Sequence, residues 1–182
     1  AAPLSGSVSH VAPSGSCAEG AQIEHKGSCN TQCEPGYVAS ASSLNCFAGQ
    51  LTPPSFHCSE AHCEAPSGVW RLDSSSCVEG TTIDSGKVCT PRCESGFKPS
   101  VEHLSCSKGI LSPQDFSCEP RNCSALPSSS IANVGSAGSC AEGEVIPHGA
   151  ACTAQCAVGY EASSASLECR RGVLSPETFS CK

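Results

Sequence analysis

Short apolar islands interrupt a polar background along the whole chain, and no window of about 11 or more residues carries a helical stripe. Leu44, Leu104 and Leu167 each stand two residues before a cysteine, and so do Phe56, Phe116 and Phe179. A two-residue step returns a side chain to the same face of a strand. The pattern therefore predicts short strands over Leu-x-Cys and Phe-x-Cys, with alternate residues facing inward. Gly and Pro separate these islands as turns. The predicted fold is small, disulfide-rich and all-β.

The islands repeat. Cys63, Cys77, Cys89, Cys93, Cys106 and Cys118 form one set, and Cys123, Cys140, Cys152, Cys156, Cys169 and Cys181 another. Cys17, Cys29, Cys33, Cys46 and Cys58 form a third set, lacking its first member. From the second cysteine to the sixth the steps are 12, 4, 13 and 12 in every copy, while the first step is 14 in the middle copy and 17 in the last. Other positions recur in register: Glu19-Gly20, Glu79-Gly80 and Glu142-Gly143; Ile23, Ile83 and Ile146; Gly36-Tyr37, Gly96-Phe97 and Gly159-Tyr160. Leu51, Leu111 and Leu174 follow Gly49, Gly109 and Gly172 by two, and Pro53, Pro113 and Pro176 follow in turn. The expected domains are 1–58, 63–118 and 123–181. The linkers 59–62 and 119–122 reach at most about 14 Å, so neighbouring copies nearly touch and an elongated rod of three beads is expected.

Seventeen cysteines in 182 residues, with only eight aromatics and no Met, place the stabilisation in crosslinks. Units of about 60 residues bury too little surface to be secure alone. Such thiol density points to an oxidising compartment, so an extracellular or cell-surface location is expected. The chain shows neither an initiator Met nor a signal peptide, and reads as a processed piece of a secretory precursor. Net charge is −7, spread as −3, −2 and −2 over residues 1–62, 63–122 and 123–182. No basic stripe supports nucleic acid as a partner, and no apolar run approaches a membrane span.

The odd cysteine has an address. Cys63-Glu64-Ala65-Pro66 opens the middle copy and Ala1-Ala2-Pro3 opens the chain, so aligning the Ala-Pro pairs puts the absent cysteine one place before Ala1. Three explanations stay open: an array cut or numbered from this point, a neighbour supplying the partner, or a five-cysteine unit with a free or intermolecular thiol.

The motifs Cys63-Glu64-Ala65-Pro66, Cys93-Glu94-Ser95-Gly96-Phe97, Leu104-Ser105-Cys106 and Cys118 resemble those of sushi, or complement control protein, repeats. The resemblance covers the whole chain, three times. The Cys89 to Cys93 step is similar to that of the six-cysteine modules of selectins. One departure marks the chain as divergent: the family's Trp two residues after the late Gly is Leu51, Leu111 or Leu174 here, which implies a smaller core. Six cysteines allow 15 pairings, and sequence alone does not choose. The resemblance implies Cys63–Cys106, Cys77–Cys89 and Cys93–Cys118, then Cys123–Cys169, Cys140–Cys152 and Cys156–Cys181, then Cys17–Cys29 and Cys33–Cys58, leaving Cys46 unpaired or intermolecular.

Candidate chemistry is sparse. His57-Cys58 and His62-Cys63 mimic mixed zinc ligation, but the Cys-x-x-x-Cys step and the lack of recurrence argue against metal. No calcium loop is present. The histidines (His10, His25, His57, His62, His103 and His148) share no repeat position on this reading, and no Gly-x-Ser-x-Gly elbow appears. The chain is therefore expected not to be an enzyme and to need no cofactor. Asn122-Cys123-Ser124 is a formal glycan acceptor, and Ser40 to Ser43 and Ser128 to Ser130 are candidates for O-glycans or plain polar loop. Trp70 reads either as partly buried packing, on a strand near the surface, or as an exposed contact. With Arg71, Arg170 and Arg171 it completes the candidate contact set. The expected role is an extracellular structural or adhesive repeat in a filament, matrix or surface coat, binding copies of itself or other extracellular proteins and glycans. A recognition module with ligand-binding loops is the alternative, and a disulfide-rich inhibitor fits the tandem organisation poorly.

Overall fold

The structure is a computed structural model that describes residues 1–4 and 6–182. It is all-β: short strands, the longest Leu72–Cys77, and a 3-10 turn at Ser128–Ser130, with no α-helix among the described residues. The chain forms two compact units, one of Ala1–Pro66, Cys77–Thr90 and His103–Asp115, the other of Ser67–Ser76, Pro91–Glu102 and Phe116–Lys182. The middle sequence repeat contributes to both.

The first unit contains two antiparallel three-stranded sheets of one design. One is Ser28–Asn30, Ser43–Phe47 and Gln50–Thr52, and the other is Val88–Cys89, Leu104–Ser107 and Ile110–Ser112. The second unit contains a third, Ala151–Thr153, Ser166–Arg170 and Val173–Ser175. The register is identical. Cys29 faces Leu44 and Cys46 faces Leu51; Cys89 faces Leu104 and Cys106 faces Leu111; Cys152 faces Leu167 and Cys169 faces Leu174. Leu-x-Cys alternation puts both side chains on the inner face, and Leu44, Leu104 and Leu167 are fully buried. In the third repeat the core combines five half-cystines with Leu167, Leu174, Ile131, Ile146 and Phe179, and in the first Cys17 and Cys29 pack with Leu44, Phe56 and Val8.

A two-residue turn joins the last two strands of each sheet. Ala48-Gly49, Lys108-Gly109 and Arg171-Gly172 all have positive φ at both positions, the type I′ geometry that matches strand twist. Gly adopts this region freely, whereas Ala48, Lys108 and Arg171 do so at a cost of roughly 1–2 kcal/mol.

A second pairing joins Tyr37–Ala39 to Cys58–Glu60 in the first unit and Phe97–Pro99 to Cys118–Pro120 in the second. In the third repeat it shrinks to the bridge between Ala162 and Cys181. Half of each linker is thus strand. The next residue is also tied back: the Ala61 N–H donates to the Gly36 carbonyl (2.8 Å), and the Arg121 N–H to that of Gly96 (2.9 Å).

Two local expectations are corrected. Phe56, Phe116 and Phe179 lie outside strands, which begin or pair only at the following cysteine. Pro53, Pro113 and Pro176 lack the N–H that would continue the preceding ladder, so the chain crosses back unpaired while Phe56 and Phe179 still bury. Trp70 sits in a turn rather than on a strand, because Arg71 takes φ 62° and the extended run starts only at Leu72.

Eight disulfides crosslink the chain. Cys17–Cys29, Cys77–Cys89 and Cys140–Cys152 each span 12 residues, and Cys33–Cys58, Cys93–Cys118 and Cys156–Cys181 each span 25. Cys63–Cys106 and Cys123–Cys169 span 43 and 46. In the chain-entropy account such loops are worth about 3, 3.5 and 4 kcal/mol respectively. Cys46 is buried and unbridged.

Candidate functional site at the repeat junctions

The Cys-x-Glu-Gly turn sets up each repeat locally. Gly20, Gly80 and Gly143 donate their N–H to the carbonyl of the cysteine three residues earlier. That turn aims the Glu carboxylate at a neighbouring backbone N–H: Glu19 accepts from Asn30 (2.8 Å), Glu79 from Thr90 (2.7 Å) and Glu142 from Thr153 (2.8 Å). The Thr90 and Thr153 hydroxyls donate to the second oxygen. These bonds hold all three carboxyls below the usual value of 4.5, led by the Asn30 N–H, the Thr90 N–H and the Thr153 hydroxyl respectively.

The type I′ turn is fixed through its first N–H. Lys108 donates to the Ser85 hydroxyl (3.0 Å), while Ala48 and Arg171 donate to Nδ1 of His25 (3.1 Å) and His148 (3.0 Å). The expectation that the histidines share no repeat position is therefore corrected. His25 and His148 are equivalent, two residues after Ile23 and Ile146, and both brace the turn.

In the first unit the Lys108 turn lies on the Gly36-Tyr37 corner. A Cβ on Gly36 would meet the Lys108 Cβ at 2.7 Å, and Nζ lies 5.0 Å from the Tyr37 ring centre. The Tyr37 hydroxyl, and then the Tyr37, Glu60 and Glu34 charges, raise the lysine's pKa above its ordinary value. Tyr37 also stacks on His10, with centroids 4.1 Å apart, and His10 Nδ1 is 3.2 Å from Glu34.

The second unit repeats this arrangement with other residues. A Cβ on Gly96 would meet the Arg171 Cβ at 2.8 Å, and the Arg171 guanidinium lies 5.4 Å from the Phe97 ring centre. Arg71 takes the place of His10, 5.6 Å from the same ring, and pairs with Glu94 at 3.0 Å. Trp70 meets Phe97 in a T-shaped contact with ring centroids 5.4 Å apart, and Phe97 is 3% exposed. A cation over an aromatic face contributes about 0.5–1 kcal/mol when exposed and more when dry. The arrangement joins repeat to repeat through close packing and charge.

No protein-family model matches the chain, and no curated protein matches it significantly in sequence.

The remaining candidate residues scatter. Trp70 is 65% exposed despite its contact with Phe97, so one face stays open to solvent. Arg170 is exposed and pairs with Glu168 at 3.0 Å. Asn122 is exposed, but its Oδ1 accepts from the His148 N–H (3.2 Å). Among the described residues no group of three or more His, Cys, Asp or Glu could hold a metal ion, and no helix is long and apolar enough to cross a membrane. Sequence reasoning noted the Gly-aromatic corner only as a recurrence and missed Lys108 and His10. The available signal was a basic residue before the late Gly in two copies of three.

Proposed function

We propose that this chain is a non-catalytic extracellular repeat protein, a subunit or fragment of a filament, matrix or surface coat, built from three tandem sushi-like modules at 1–58, 63–118 and 123–181. The observation that carries the reading is the recurrent junction, in which the turn of one repeat covers the Gly-aromatic corner of the repeat before it. Ordered linkers and packed junctions suit a load-bearing array, because each added unit inherits its neighbour's orientation. Crosslinks in every repeat suit a protein that works outside the cell. Partners on this reading are copies of the chain or other extracellular proteins and glycans. Electron microscopy of native, unreduced material tests it: filaments or sheets are expected, and short monodisperse particles at physiological concentration contradict it.

A second reading, recognition of a protein or glycan ligand, draws support from Trp70, a large exposed aromatic braced by Arg71 at 5.0 Å. Under it, Trp70→Ala lowers capture of an extracellular glycan or protein array at least tenfold. Unchanged capture removes this reading.

A further inference from the structure

The corner formed in the third repeat by Gly159 and Tyr160 has the same backbone as the two occupied ones. The Tyr160 N–H donates to Ala157 (3.1 Å) as Tyr37 does to Glu34 and Phe97 to Glu94 (both 3.0 Å). Nothing lies within 4 Å of a Cβ built on Gly159, Tyr160 is 44% exposed, and Val158 beside it is fully exposed. The departing chain is also aligned. Lys182 exchanges both backbone hydrogen bonds with Glu161 (2.8 and 2.9 Å), the position at which Ser59 pairs with Val38 and Glu119 with Lys98.

We propose that Val158, Gly159 and Tyr160 form a docking site for the two-residue turn of a further repeat, joined in series behind Lys182 and carrying Lys or Arg at the first turn position. The occupant follows from the two filled corners. Each needs close backbone approach at Gly, supplied by a left-handed residue, and a long cationic side chain over the ring. The turn of the first repeat offers Ala48 instead, and nothing lies within 4 Å of a Cβ on its Gly49. A second copy of the chain docking through that turn would leave Tyr160 uncovered. The site deepens the array reading and rests on it for its biological meaning.

The chain contains only two tyrosines, Tyr37 covered and Tyr160 bare, so hydroxyl-radical footprinting read by mass spectrometry reports both corners at once. In the chain as it exists, Lys108→Ala is expected to raise Tyr37 oxidation several-fold, towards that of Tyr160. An unchanged Tyr37 overturns the covering role. The second variant appends residues 60–118 directly after Lys182, so that Lys182 takes the place of Ser59 and the added segment brings a Lys108 turn but no tyrosine. Tyr160 oxidation is expected to fall several-fold, and Lys108→Ala in the added segment to restore it. A Tyr160 rate that is unchanged, or a protection indifferent to that lysine, overturns the proposal. Both readouts are independent of higher assembly: short particles with a protected Tyr160 would count against the filament and leave the site standing.

Discussion

Gly96 and Gly159 occupy one position of the repeat, with φ of 84° and 91°, yet only Gly96 has a neighbour in the space a Cβ would fill. Alanine at Gly159 meets only the left-handed penalty, about 1–2 kcal/mol. Alanine at Gly96 adds a clash with Arg171, so Gly96→Ala is expected to destabilise by about 1–3 kcal/mol more than Gly159→Ala. Guanidinium unfolding of the two variants checks this; equal losses would mean that the junction carries no strain. The Glu clamp makes a second prediction at this scale. A carboxyl held below 4.5 in the folded state contributes stability that is present above the unfolded value and lost as pH falls through the folded one. Glu79→Gln is therefore expected to lower the melting temperature at pH 7, with the gap to wild type closing below pH 4.5. Melts across pH 2–7 measure it, and a gap constant in pH would contradict the clamp. Individual residues were only partly legible. The recurrence of Glu19, Glu79 and Glu142 was plain, but its meaning needed the turn that aims each carboxylate. Lys108 was hidden because its counterpart in the first copy is Ala48, and Arg171 was legible only as a candidate contact, not as the turn residue over Gly96.

The three-stranded sheets were the most legible elements, because Leu-x-Cys alternation and an x-Gly turn specify strand, face and hairpin together. The Phe-x-Cys strand was not, because the prolines end the ladder and Phe packs inward without a partner strand. The long opening loops were illegible for a related reason. A first step of 14 residues gives the regular pair Leu72–Cys77 with Pro91–Cys93, whereas among the described residues the third repeat, with a step of 17, and the first make isolated bridges such as Val134 with Cys156 and Val11 with Cys33. Ile23 departs from its two counterparts. Ile83 and Ile146 pair with Cys63 and Cys123 and are buried, while Ile23 has no such partner and is only partly buried. The Ala2 N–H nevertheless bonds the Ala21 carbonyl (2.9 Å), as Ala65 bonds Thr81 (2.9 Å) and Ala125 bonds Glu144 (2.8 Å), so the opening backbone keeps one register in all three copies. A cysteine placed immediately before Ala1 is expected to bridge Cys46, lowering the intact mass by two hydrogens and stabilising the first repeat by about 4 kcal/mol. A persistent free thiol at Cys46 would show that the register is only apparent.

At the scale of the whole molecule the stabilisation is covalent. Half of the described core is half-cystine, and the rest is Leu, Ile, Phe, Val8 and Cys46, too little apolar surface for units of this size to stand alone. The count and spacing of the cysteines were legible from the sequence, but their pairing was not, since spacing alone leaves 15 connectivities in a six-cysteine repeat. The structure has one pattern throughout: second to third, fourth to sixth and, where a first cysteine exists, first to fifth. Non-reducing peptide mapping by mass spectrometry tests this most directly. The expected result is second to third and fourth to sixth in all three repeats, with Cys63–Cys106 and Cys123–Cys169 as the first-to-fifth bridges. A different linkage in any repeat, or native material with reduced thiols that still resists protease, would contradict the account.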